Sequence, residues 1–116
     1  MIKGKIILVP FPFDDLSSAK VRPAVCLTEE IGPHHQVIIA FITSQVPSNL
    51  LATDLVLAAQ HPDFAATGLH RSSVLRLHRL VTISTSVIRR ELGTLSPELL
   101  TEMTAKLRLL FAISLV

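Results

Sequence analysis

Between His70 and Arg90 the chain carries five arginines, Arg71, Arg76, Arg79, Arg89 and Arg90, and no aspartate or glutamate. A guanidinium grips phosphoryl oxygens with a planar fork and keeps its charge at every physiological pH. If strands in this stretch share a face, they build a positive patch suited to phosphates; the same spacing also fits solvated outward positions of alternating strands. A further arginine, Arg22, precedes Pro23 where the polar run Asp14 to Val21 gives way to an apolar one. Thr43, Ser44 and Gln45 close another apolar run with hydroxyl and amide groups that donate and accept hydrogen bonds. His78 adds an imidazole whose near-neutral titration suits proton transfer, or simply a half-buried ring with one hydrogen bond.

Other chemistries lack their residues. The five histidines show no HExxH or similar helical spacing, so no metal site is expected. The four glycines are scattered, which excludes a phosphate-cradling loop, and there is no GxSxG elbow. The single cysteine, Cys26, can form neither an internal disulfide nor a thiolate zinc site, and reads as a small buried hydrophobe. No cofactor is implied, and any catalysis would be run by side chains alone.

The elements that must position these residues are mostly short strands. Ile6 to Val9 is β-branched and continues into Pro10-Phe11-Pro12-Phe13, whose prolines cannot donate to a ladder, so this strand should bend or lie at an edge. Ala24 to Thr28 forms a second strand, with Arg22 where loop becomes strand. Ile31 to His35 is a turn and Val37 to Thr43 a continuous apolar strand; shorter strands fit Asp54 to Leu57, Ser73 to Leu77 and Val81 to Ser84. The period then changes. Leu99, Met103, Leu107, Leu110 and Ser114 recur at helical spacing, with Leu100 and Phe111 widening the stripe, Ser96 as N-cap and Pro97 in the first turn. Glu102 and Lys106 stand at i,i+4 spacing on the polar side. Short strands followed by one final helix predict a small, strongly curved antiparallel sheet or barrel with the helix packed on it.

At 116 residues the chain is expected to be one domain, residues 1–116, able to bury roughly two-thirds of its unfolded surface. It is 49% hydrophobic and 17% charged with a net charge of +2, which excludes disorder and leaves apolar surface to spare. Its longest apolar runs fall short of the roughly 18 residues that span a bilayer, and prolines and aspartates interrupt the one signal-like start. A cytoplasmic protein without a membrane anchor is expected.

Three segments, Gly4 to Leu16, Lys20 to Leu27 and Ile42 to Gln45, together resemble the blocks of the MazF/PemK family of toxin endoribonucleases. Thr67-Gly68-Leu69, Ser73 to Leu77, Leu80 to Ile83 and Leu92 to Leu95 follow in that family's order, so the resemblance runs along essentially the whole chain. It implies a mainly β, SH3-like antiparallel barrel with a C-terminal α-helix, forming a homodimer that cuts single-stranded RNA without a metal and is blocked by a cognate antitoxin. The implied reaction is attack of a ribose 2′-hydroxyl on the adjacent phosphorus, leaving a 2′,3′-cyclic phosphate and a 5′-hydroxyl.

By this resemblance Arg22 matches the family's catalytic arginine and Thr43 its catalytic threonine, with Ser44, Gln45, Arg76 and His78 as RNA contacts. The chain departs from the family at three places. Ser17 stands where some members carry a glutamate, so a general base does not transfer, although Asp14, Asp15 or His78 could substitute. Lys5 replaces a common aspartate, and His78 stands where relatives often have one. With no Tyr or Trp, base stacking falls to Phe11, Phe13 or Phe41, residues whose first expectation is the core. The loss of the loop acid keeps a second reading open: a non-catalytic member of the fold that binds RNA, or that inhibits a protein target such as DNA gyrase as the related CcdB toxins do. A third is a module whose apolar groove captures an amphipathic peptide.

Overall fold

Alternation along β3 (Gln36–Thr43) sends Val37 and Ile39 to one side of a sheet and Ala40 and Ile42 to the other, and both sides are buried. In the computed structural model, which describes residues 1–11 and 20–114, this strand is central to six: β1 (Lys5–Pro10), β2 (Val21–Cys26), β3, β4 (Asp54–Leu57), β5 (Ser73–Ser84) and β6 (Arg90–Thr94), followed by the helix α1 (Pro97–Leu110). The order across the sheet is β4-β5-β3-β2-β1-β6, and every neighbouring pair is antiparallel. The strands curl into a half-barrel, as the resemblance implied.

Two apolar clusters fill its two faces. The larger gathers Ile6, Val25, Ala40, Ile42, Leu55, Leu75 and Leu77 against Leu99 and Met103 of α1. The smaller comprises Ile7, Val9, Ala24, Cys26, Val37, Ile39 and Ile83. Ser96 caps α1 by accepting from the Leu99 N–H at 3.2 Å, with Pro97 behind it. The stripe of the helix is buried at Leu99 and Met103 and half-buried at Leu107 and Leu110; Phe111 and Ser114 lie past its end. Lys106 does not pair with Glu102. Its Nζ donates to the Ala52 carbonyl at 2.9 Å, tying the helix to the β3–β4 loop.

The opposite ends of the sheet are brought together without a ladder. The 3-10 turn Ala65–Thr67, between β4 and β5, lies against β6, where Gly68 sits at φ +73° over Leu92 and Gly93 abuts Ala66 and Thr67. A Cβ on either glycine would run into backbone, so only glycine permits this approach.

Three boundaries differ from the sequence expectation. β2 begins at Val21, which puts Arg22 inside the strand. The two strands expected at Ser73 to Leu77 and Val81 to Ser84 are one strand of 12 residues with an irregularity in its middle. β6, with two charges and a glycine in five residues, was not foreseen. Residues Asp14, Asp15 and Ser17, and Phe13, fall outside the described residues.

Candidate active site

The sheet's two-residue period also builds the site. Arg22 lies two residues before Ala24 and Thr43 two after Phe41, so both continue the face of the smaller cluster past its rim. Ala24 faces Phe41 across β2 and β3, and extending that register brings Arg22 level with Thr43. Phe11, just past β1, accompanies Arg22: its N–H donates to the Lys20 carbonyl at 3.2 Å, and the Arg22 guanidinium carbon lies 5.8 Å from its ring centroid. Phe11 and Phe41 meet edge to face, with centroids 5.5 Å apart at 75°. Both rings are half-buried at a cleft rather than enclosed in the core.

The cleft has a volume of about 230 Å³ and is lined by Phe11, Arg22, Phe41, Ile42, Thr43, Gln45, Arg76 and Arg79. Four of the six expected site residues, Arg22, Thr43, Gln45 and Arg76, therefore converge. Ser44 is exposed beside Thr43 but is not part of the lining, and His78 is exposed on β5 outside it. Arg79, one of the arginines of the acid-free stretch but not among the expected site residues, completes the wall.

Thr43 Oγ1 accepts from the Gln45 N–H at 3.1 Å, which shapes the turn leaving β3 and keeps Gln45 at the cleft. A hydroxyl that accepts through a lone pair keeps its hydrogen to donate; in the free cleft that hydrogen is directed only at the Gln45 carbonyl, 3.5 Å away. Arg76 is held differently. Its Nε and Nη2 donate to the two oxygens of Asp54 at 3.2 and 3.3 Å, across the β4–β5 pair that sets these residues opposite each other. The Asp54 side chain is 0% exposed and that of Arg76 22%; Asp54 also accepts from the Leu51 N–H at 2.8 Å. Much of the charge on Arg76 is thus met inside the protein.

Among the described residues no acid lines the cleft, and two exposed guanidiniums stand beside a third that is paired. The described residues also bring together His61, Glu98 and Glu102, whose ligand atoms lie within 4.8 Å of one another, at the start of α1 and away from the cleft lining. His61 Nδ1 is already engaged, accepting the Asp63 N–H at 3.0 Å.

Comparison with known proteins agrees with this geometry. Residues 2–111 match the family described as PemK-like, MazF-like toxin of type II toxin-antitoxin system. The chain belongs to that family. The Mycobacterium tuberculosis toxin MazF-mt6 has the same fold at 24% identity, with a TM-score of 0.71 over 95% of this chain and 98% of that one. A MazE-MazF structure from Deinococcus radiodurans superposes with a TM-score of 0.73 at 19% identity, covering 98% and 97% of the two chains. An endoribonuclease in complex with its cognate antitoxin, from a mycobacterial species, gives 0.71 at 11% identity over 100% and 99%. No curated protein sequence matches the chain. As a PemK-like toxin it has no helix among the described residues long and apolar enough to cross a membrane.

Proposed function

We propose that this toxin is a metal-independent endoribonuclease that cleaves single-stranded RNA by internal transesterification, in the cytoplasm and as a homodimer. The observation that carries the reading is the convergence of Arg22, Thr43 and Gln45 with half-buried aromatic rings in a cleft without a lining acid among the described residues. Charge builds on the non-bridging oxygens as the 2′-oxygen bonds to phosphorus and the P–O5′ bond breaks, yielding cyclic phosphate and a 5′-hydroxyl. Arg22 meets that charge with its fork, and the Thr43 hydroxyl turns its hydrogen from Gln45 to a phosphoryl oxygen. Gln45 and Arg76 contact the nucleotide, with Ser44 and His78 outside the lining as flanking contacts. Phe11 and Phe41 offer ring faces and edges to bases. A cognate antitoxin is the expected partner, since related toxins have been solved as MazE-MazF and toxin–antitoxin complexes. Exposed apolar side chains at Leu109, Phe111 and Ile113 suit a subunit contact.

One feature favours a second reading, an RNA-binding or protein-inhibiting toxin that does not cut: the described lining holds no carboxylate or imidazole to accept the 2′-hydroxyl proton. A single experiment separates the two. Purified protein is incubated with a long, sequence-diverse single-stranded RNA in EDTA, beside Arg22→Ala, and fragment ends are mapped. Discrete cuts with cyclic phosphate and 5′-hydroxyl ends, lost in the variant, support the nuclease. An intact RNA with folded wild-type protein rejects it in favour of the non-cleaving toxin.

A further inference from the structure

The three arginines of the cleft are not equivalent, and the irregularity in β5 brings one of them to the cleft unpaired among the described residues. Opposite the single step from Ala40 to Phe41 of β3, β5 passes from Leu80 to Arg76, so Leu77, His78 and Arg79 are extra residues in the ladder. In a regular strand His78 would share the face of Arg76, and Arg79 would follow Leu77 toward the larger cluster. The bulge changes this: Leu77 is fully buried, His78 is exposed, and Arg79 lines the cleft. Arg76 is bound through two nitrogens to a buried carboxylate, whereas Arg79 makes no hydrogen bond or ion pair among the described residues.

We infer that Arg79 binds a backbone phosphate of the single strand, a different one from the phosphate held by Arg22, and that Arg76 shapes the wall between them. β3 lies between β2 and β5, so the strands carrying Arg22 and Arg79 are two spacings apart laterally, about 10 Å, and Arg79, bulged opposite Ala40 and Phe41, is also offset along the strands from Arg22, which is level with Thr43. Two long side chains reaching inward from that separation address two phosphates of one strand, with the aromatic rings between them. Desolvating Arg79 against phosphate breaks no side-chain bond to the described residues, while recruiting Arg76 would strip Asp54 of its partner. The inference rests on the proposed single-strand function and adds which charges the strand meets.

The test measures binding rather than cleavage. A fluorescent RNA 8-mer of mixed sequence, 2′-O-methylated throughout so that it cannot transesterify, is titrated by anisotropy at several salt concentrations with wild type, Arg79→Ala, Arg79→Lys and, as a surface control, Arg108→Ala. Each phosphate contact to a single strand contributes about 0.7 to the slope of log affinity against log salt. Arg79→Ala is expected to lower the slope by about 0.7 and to weaken binding about eightfold at roughly 50 mM salt, with Arg79→Lys and Arg108→Ala retaining the wild-type slope. A wild type that binds and an Arg79→Ala variant with the same slope and affinity overturn the assignment while leaving the RNA reading in place. A folded wild type that does not bind the 8-mer overturns both.

Discussion

Replacing Asp54 by Asn is close to isosteric and removes only a charge, so its consequence can be worked from the pair itself. In the native protein the carboxylate is fully buried and accepts three hydrogen bonds, two from Arg76 and one from the Leu51 N–H. Asparagine keeps one oxygen and presents an NH₂ to groups that only donate. The guanidinium is then left in a poorly solvated place, a change that typically costs about 3–5 kcal/mol; with 22% of its side chain still reaching water, the lower figure of about 3 kcal/mol applies. For 116 residues the unfolding entropy near the midpoint is about 240 cal/mol/K, so each kcal/mol moves Tm by about 4 °C and the expected drop is about 12 °C. Thermal unfolding of Asp54→Asn, Arg76→Gln and the double variant forms a cycle, in which the double variant should lose less than the sum because neither charge is stranded. A drop below about 4 °C in Asp54→Asn, or strict additivity, would refute the reasoning that Arg76 is committed to Asp54.

Four further outcomes follow from the same geometry. Thr43→Val removes the hydroxyl and the acceptor for the Gln45 N–H, and should slow RNA cleavage about a hundredfold while lowering stability by about 1 kcal/mol; wild-type turnover would exclude Thr43 from the chemistry. The Glu29 carboxyl, which accepts the Ile2 and Lys3 N–H groups, lies below its ordinary pKa of 4.5, chiefly because of the Ile2 bond. Its stabilisation is present above pH 4.5 and is lost as pH falls through the lowered value, so wild type should lose more stability than Glu29→Gln on acidification from about pH 6 to about pH 3, and equal losses would contradict the tie. Burial raises the Cys26 thiol to about 11, so alkylation at about pH 8 should await unfolding; native protein that reacts as fast as denatured would show the thiol to be accessible. Gly93→Ala drives a methyl group into the Ala66 and Thr67 backbone and should cost about 1–3 kcal/mol or more, seen as a lowered Tm; an unchanged Tm would mean that the turn and β6 are not held together.

Much of this arrangement was legible in the residues, for reasons of periodicity. A strand fully buried on both faces writes a continuous apolar run, and Val37 to Thr43 did so; a helix writes a 3.6-residue stripe, which Leu99, Met103 and Leu107 traced behind the Ser96-Pro97 start. β6 left no such trace, because an end strand needs apolar residues at few positions and this one spends its five on Arg90, Glu91, Leu92, Gly93 and Thr94. At the site, Arg22 and Thr43 were named by the resemblance; Thr43 ends β3 where the apolar run stops, whereas Arg22 lies within β2 and not before it. Arg79 was not expected at the site, because Arg76 and His78 are two residues apart and would share a face in a regular strand. The bulge that replaces His78 with Arg79 is a matter of register between distant strands, which no local period encodes. The binding of Arg76 by Asp54 was hidden for the same cause: the two residues are 22 apart and meet only through the β4–β5 pairing.

The place of β4 at the margin of the sheet has a bearing on the behaviour of many copies as well as one. β4 ends the hydrogen-bonded sheet on its side, and an end strand is a template on which another molecule's strand can add. This one is four residues long and begins with a carboxylate turned inward to its own arginine. A strand adding here would bond to the outer edge of β4 and leave the Asp54–Arg76 pair on its inner side untouched, so what limits such addition is the brevity of β4. A protein nearly half apolar, with Val56 open on this strand, thus offers a neighbouring copy a ladder of only four residues at its margin.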